Sequence, residues 1–304
     1  MSLHLLYMFP SAWERVVGLE KRGTTADDFL PLIDSGFDQK VVLERNPGPE
    51  QIAALQPDLV IIKGLWVDAL GETLAEVNIP SMYLALESPD QFYRDVRNLG
   101  AVLGEPERAE EIVAFYQHQL LRLEAAIGGV TAAEKPRVLL LDYGERGGNV
   151  AVQVPAQGWV QTIQVRAAGG IPVWLEAAEW TDGWTVVNLE QIALWNPDMI
   201  FMVGVYNLDA NEVLGSIRAD PRWNRLAAVQ NNKVHLVPSD LYRWDTPGPR
   251  WILGMVWMAS QTHPGRFAEW DMRQELYDFY GQLYGMHPAA VDEHIIPRVD
   301  LDGA

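Results

Sequence analysis

Pro49-Glu50-Gln51-Ile52-Ala53-Ala54-Leu55-Gln56-Pro57-Asp58-Leu59-Val60-Ile61-Ile62-Lys63-Gly64 reads as a short helix, a Pro-Asp turn, an apolar run and a closing glycine. Proline cannot continue a helix, so the helix stops before Pro57 and the chain turns. An apolar run without polar alternation is a strand buried on both faces, the habit of parallel sheets. The block returns as Leu189-Glu190-Gln191-Ile192-Ala193-Leu194-Trp195-Asn196-Pro197-Asp198-Met199-Ile200-Phe201-Met202-Val203-Gly204. Glu-Gln-Ile-Ala, Pro-Asp and the final Gly recur at one fixed offset, so the chain carries two copies of one α/β plan.

Outward from these blocks, apolar runs at 15–19, 81–84, 137–141 and 233–237 read as further strands. Helical patterns fill 25–33, 69–77, 91–103, 158–168 and 212–217 between them. This alternation predicts an α/β protein with right-handed crossovers: two Rossmann-like lobes with parallel sheets. An uninterrupted helical pattern runs from Pro106 to Ile127, with Pro106 suited to a first turn and Gly128-Gly129 ending it. One long bridging helix, roughly 30 Å, is therefore expected to join the lobes and limit hinge motion. The predicted division is 1–105 for the N-terminal lobe, 106–129 for the bridge and 130–304 for the C-terminal lobe.

Of 304 residues, 48% are hydrophobic and 21% charged, the balance of a globular chain. There is no cysteine, which excludes disulfides, thiolate metal sites and thiol nucleophiles. The formal charge of −18 makes nucleic acid an unfavourable partner. No apolar run is long enough to span a bilayer as a helix, and residues 1–4 do not begin a signal peptide. There is no Gly-x-Ser-x-Gly elbow, Walker A loop or His-Glu-x-x-His, so no cofactor or catalytic centre is indicated. The segment from Tyr143 to Gly148 is read as a turn leading into a short strand at 149–154. The six histidines are scattered, and no metal site is assigned.

Four stretches give the chain a likeness. They are Leu5–Phe9 with Glu14–Leu19, the 49–64 block, the helix entry Leu103-Gly104-Glu105-Pro106-Glu107-Arg108-Ala109, and Asp245-Thr246-Pro247-Gly248-Pro249-Arg250-Trp251-Ile252-Leu253-Gly254 with the tail 276–280. In order and spacing these resemble the class III periplasmic substrate-binding proteins of ABC importers, which take up ferric siderophores, haem, cobalamin and, in some members, molybdate or tungstate. The resemblance implies a binding protein, not an enzyme. It would be a monomer held outside the cytoplasmic membrane, passing a metal chelate to an ABC permease with its ATPase. One departure is that the family's first strand precedes its first helix, whereas here the helix begins almost at Met1, so the first strand is expected to be missing from the N-terminal lobe.

Ligands of open α/β lobes sit at the carboxyl ends of parallel strands. That places Lys21, Arg22, Lys63 and Trp66 as candidates in the first lobe. The second lobe supplies Tyr143, Arg146, Trp159, Trp184, Tyr206, Asp240, Tyr242, Arg243 and Trp244. Tryptophan faces offer contact area for a macrocycle or catechol, and Arg and Lys neutralise an anionic chelate. Trp13, Trp195, Trp251 and Trp257 are expected in the core. The position of Trp184 resembles a ligand-lining tryptophan of the cobalamin-binding branch. By the same resemblance, Asp68 or Glu72 and Asp209 or Glu212 would dock on permease arginines. An oxyanion binder for molybdate or tungstate is the rival within the class, and a chelatase-like α/β enzyme the rival outside it.

Overall fold

The computed structural model describes residues 2–21, 28–64, 67–146, 149–204 and 210–301. The chain divides into two compact units, one of residues 1–117, 247–249 and 276–296, the other of 118–246, 250–275 and 297–304. The fold is mixed α/β with mostly parallel strands, as the alternation predicts.

The first unit holds two parallel pairs: β1 (Gly18–Glu20) with β2 (Val41–Leu43), and β3 (Val60–Lys63) with β4 (Ser81–Leu84). The short strand β2 has no counterpart among the apolar runs that the sequence marks as strands. The core of this unit includes Ile52, Ile62 and Leu74, packed by Leu43, Val60, Leu70 and Ile79. Aromatic packing adds Phe29, edge-on to Tyr284 at 4.9 Å, and the Tyr284 hydroxyl donates to the His4 carbonyl. Arg108 donates to the carbonyls of Met8, Gln282 and Leu283. These contacts assign 276–296 to the first unit and correct the expectation that everything after 130 belongs to the second. A tail far away in sequence supplies aromatic surface that the N-terminal segments need for burial.

In the second unit the strands run in the order β10-β9-β5-β6-β8, where β5 is Arg137–Arg146, β6 Asn149–Val154, β8 Thr185–Val187, β9 Met199–Val203 and β10 Val234–Leu236. The two-residue β7 (Ile171–Pro172) pairs with the start of β5. β5, β9 and β10 are parallel, whereas β6 is antiparallel to both β5 and β8. All five residues of β9 are buried, as its apolar run requires. β5 continues to Arg146, so Tyr143 to Arg146 is strand rather than turn; pairing with 149–153 extends it.

The recurring block has a physical basis in both copies. Gln51 and Gln191 each reach back to accept the backbone N–H that opens their helix, from Gly48 at 3.0 Å and Asn188 at 3.1 Å. Ile52 and Ile192 are the buried residues of the two helices. Gln56 and Asn196, each just before the proline, take left-handed backbone with φ of 49° and 38°. The helix therefore reverses within one residue and feeds the strand. Asp198 then accepts the Arg137 N–H at 2.8 Å and returns its own N–H to the Arg137 carbonyl, which pins β9 beside β5.

Pro106–Ile127 is one helix of 22 residues, and its residues divide between the two units after Gln117. Gly104, at φ 74°, ends the preceding helix Pro89–Leu103 and lets the new one start.

Asp34 ties the first unit together by accepting from the Tyr7 hydroxyl at 2.7 Å and pairing with Lys40 at 3.2 Å. Burial opposes the charge on Asp34, but the bonds from Tyr7 and Lys40 outweigh it and hold its carboxyl below the usual carboxylate range. A lowered carboxyl contributes stability that is present at neutral pH and lost as pH falls through its folded value. Asp34→Asn is therefore expected to melt below wild type at neutral pH, with the gap narrowing as the buffer is acidified. Thermal melts of both proteins across acidic pH check this, and a gap that widens on acidification contradicts it.

Candidate functional site

At the carboxyl end of β10 the segment 239–246 is fastened to the body of the second unit. Asp240 is its anchor. Its side chain accepts from Arg250 at 2.6 Å, from the Trp244 indole at 3.1 Å and from the Tyr242 N–H at 2.9 Å. Asp240 and Arg250 are both buried, with side-chain exposures of 0% and 1%. Two opposite charges in such a place hold because each pairs with the other and the surrounding hydrogen bonds add to the pair. Gln164 adds a clamp by donating to the carbonyls of Trp244 and Trp251 at 2.8 Å. Gly254 allows that approach: a Cβ there would come 2.5 Å from the Trp244 carbonyl oxygen. Ser239 bridges to Arg243, and the Thr246 hydroxyl donates to the Arg243 carbonyl.

The fastened segment presents Tyr242 and Arg243, both half-buried. Arg243 is oriented by a two-point pair with Asp245, at 2.9 and 2.6 Å. Such a fork fixes the guanidinium plane. Close by, Asp142 stands on β5 where its run of four buried apolar residues, Val138 to Leu141, ends. Burial raises its carboxyl, nearby Arg243 opposes the rise, and Asp245 adds to it; the net direction is upward.

Trp244 and Asp240, expected as ligand contacts, lie beneath this surface rather than on it. Trp244 is fully buried and donates its N–H to Asp240. They set the shape of the segment, and Tyr242 and Arg243 are what it offers. Tyr143 is also buried. Trp159 and Trp184 are half-buried and meet edge-to-face with centroids 5.9 Å apart, while Trp180 stands out at 89% exposure. Trp251 and Trp257 are core residues, whereas Trp13 and Trp195 are only half-buried.

In the first unit, Lys21 is exposed and Lys63 is buried at the end of β3. Lys63 donates to the Ala85 carbonyl and pairs with Glu87 at 2.7 Å. Between them Leu86 has φ 60°, a left-handed backbone that is unfavourable for a bulky side chain. Asp95 holds that conformation by accepting from the Ala85 and Leu86 N–H groups. Lys63 is thus committed to shaping the 85–87 turn. Arg22, Trp66, Tyr206, Asp209 and the side chains of Asp68 and Arg146 lie outside the described residues. Among the described residues no three His, Cys, Asp or Glu side chains gather as for a metal ion.

Asp142, Asp245 and Arg250 are not among the sequence candidates. Asp142 carries a signal, as the first polar residue after an apolar run. Arg250 carries none, because nothing local shows which carboxylate it meets.

Residues 22–241 match the family described as periplasmic binding protein. The chain belongs to that family. A curated member, the molybdate-binding protein MolA of Haemophilus influenzae, is 26% identical over 260 residues, 77% of this chain and 69% of the relative. The solved structure of Haemophilus influenzae MolA bound to molybdate superposes with a TM-score of 0.75 at 21% identity, covering 94% of this chain and 90% of that one. CeuE of Helicobacter pylori, solved with Ni(II), gives a TM-score of 0.72 at 18% identity over 96% and 91%. These likenesses show the fold. The family membership agrees with a substrate-binding component of an ABC importer, as the resemblance implies, and these relatives are binding proteins rather than enzymes. No helix among the described residues is long and apolar enough to cross a membrane.

Asp240→Ala would remove the buried carboxylate that Arg250 pairs with, at a cost of about 3–5 kcal/mol. Chemical denaturation is expected to show that loss. Arg250→Met, which removes a charge but keeps volume, takes the opposite charge from buried Asp240, leaving it the bonds from Trp244 and Tyr242, and is expected to lose stability as well. Stability within about 0.5 kcal/mol of wild type for both variants would show that the segment does not depend on the pair.

Proposed function

We propose that this protein captures a tetrahedral metal oxyanion of the molybdate or tungstate class outside the cytoplasmic membrane and hands it to an ABC permease driven by its ATPase. The observation that carries the reading is the locked 239–246 segment, which offers one oriented guanidinium and one phenol instead of a broad aromatic wall. A small anion needs a few fixed donors, and an arginine held in plane supplies charge and direction together. Burial of Trp244 removes one of the surfaces a large chelate would stack on. The curated relative's printed name, molybdate-binding, supports the same ligand class. Binding is reversible and carries no turnover.

A metal chelate, either a ferric siderophore or a cobalamin-like compound, is the second reading. Its specific support is the edge-to-face Trp159–Trp184 pair and the exposed Trp180. Lys21 remains a candidate contact in the first unit.

Molybdate and tungstate are expected to raise the melting temperature, as any ligand that binds only the folded state does. Arg243→Gln should weaken binding roughly tenfold to a hundredfold, the effect of about 1.5–3 kcal/mol for a bond to a charged group. If ferric siderophores or cobalamin shift the melt and oxyanions do not, the chelate reading replaces this one. Permease docking is assigned to Glu72 and Glu212, both exposed and each in the first turn of its helix. Glu72→Arg and Glu212→Arg should each lower ATPase stimulation of the reconstituted importer severalfold while leaving oxyanion affinity unchanged. Unchanged stimulation in both variants would remove these residues from the docking surface.

A further inference from the structure

The helix Val160–Ala167 of the second unit opens without a cap. Its first bond runs from the Ile163 N–H to the Trp159 carbonyl at 3.1 Å, and Trp159 supplies no side-chain acceptor. The N–H groups of Val160, Gln161 and Thr162 therefore have no partner among the described residues. The carbonyls that lead into the helix are engaged elsewhere. Pro155 accepts from the Trp174 indole at 2.9 Å, and Ala156 from the Trp159 N–H and the Thr162 hydroxyl at 3.2 and 2.8 Å. No acidic residue stands in the first turn, so no side chain there offsets the positive end of the helix dipole.

An open helix end is ordinary, but the state of Gln161 is not. This residue is 4% exposed, and its Oε1 is buried with no hydrogen-bond partner. Burying an amide oxygen in that way costs stability unless something else satisfies the group. Side chains on a helix lean toward its N-terminus. Gln164, three residues on and on the same face, reaches the carbonyls of Trp244 and Trp251. Gln161 stands one turn nearer the opening, and its amide leans toward the open N–H groups. Turning that amide over exchanges an acceptor for two donors, and no bond within the fold holds it in one sense.

The opening also lies at the right edge. β6 sets Gln153 against Asp142, and Asp142 is level with Val203, the last residue of β9. The chain therefore leaves β6 near the carboxyl edge of the parallel strands. After the helix, Ile171 pairs with Arg137, the first residue of β5. The helix thus runs from the carboxyl edge to the amino edge, with its N-terminus where ligands of open α/β sheets sit. Through Gln164 it is joined to the 239–246 segment.

The geometry points to an oxyanion subsite at this helix opening, where the Gln161 amide and the N–H groups of Val160, Gln161 and Thr162 donate to oxygens of the ligand. This rests on the oxyanion reading above and names the donors that complement the 239–246 segment. An anion that carries no proton only accepts, which matches a set made of donors. Val160, Gln161 and Thr162 are buried, so their water was lost during folding and little desolvation remains to oppose the ligand.

The test combines isothermal titration with molybdate and tungstate, thermal melts and amide hydrogen exchange, all on the full chain. Gln161→Met keeps volume and removes the unsatisfied amide. It is expected to melt no lower than wild type and to bind both anions about tenfold more weakly. Gln161→Glu places a carboxylate that takes the open N–H groups itself, and should bind about a hundredfold more weakly while still folded. In wild type, saturating tungstate is expected to slow exchange of the 160–162 amides severalfold. Wild-type affinity in folded Gln161→Met overturns the subsite and leaves the oxyanion reading standing. Unslowed exchange at 160–162 in tungstate-saturated wild type overturns it as well, and decides alone if neither variant folds. No oxyanion binding by wild type overturns both.

Discussion

The burial of Met199–Val203 on both faces is the constraint from which the second unit follows. A strand with no solvated face must have a neighbour on each side and a covering layer on each face. With β5 and β10 as parallel neighbours, all three strands run to the same edge, where β9 and β10 end and β5 goes on paired with β6. The chain has to leave the sheet there, and its polar groups gather where the apolar pattern stops: Asp142 on β5, Gly204 after β9 and the 239–246 segment after β10. The register between β5 and β9, pinned by Asp198 on Arg137, puts Asp142 level with Val203 and so beside Gly204.

Much of this is legible in the sequence because it rests on local rules. The recurring Glu-Gln-Ile-Ala-to-Gly block predicts helix, turn and strand in both copies, and its recurring residues act locally. Gln closes the helix opening, Ile enters the core, and Pro-Asp makes the reversal. The 22-residue helix is bounded correctly by Pro106 and Gly128 for the same reason. What could not be read depends on partners distant in sequence. The tail 276–296 joins the first unit through Phe29, His4 and Arg108, and no local pattern points from a tyrosine at 284 to a histidine at 4.

The candidate site shows the same limit at the scale of single side chains. The rule that ligands gather at strand ends selects the stretch 240–244, but it ranks residues by position along the chain and not by the direction in which they point. Within those five residues Trp244 turns inward to Asp240 while Tyr242 and Arg243 turn to the surface. Lys63 also stands at a strand end, yet its ammonium is engaged by Glu87 and a carbonyl. Identity alone does not separate a binding group from a bracing one: Lys63 and Arg243 both pair with a carboxylate, but Lys63 is buried whereas Arg243 is only half-buried.

The bracing of the 239–246 segment has a kinetic consequence. Its bonds to Gln164 and Arg250 exist before any solute arrives, so the ordering entropy of these residues is lost during folding rather than at the encounter. A scavenger that meets its solute at trace concentration gains from such a surface, because every collision finds the donors already in place and association need not wait for a loop to settle. Discrimination between solutes then falls on how fast each one leaves.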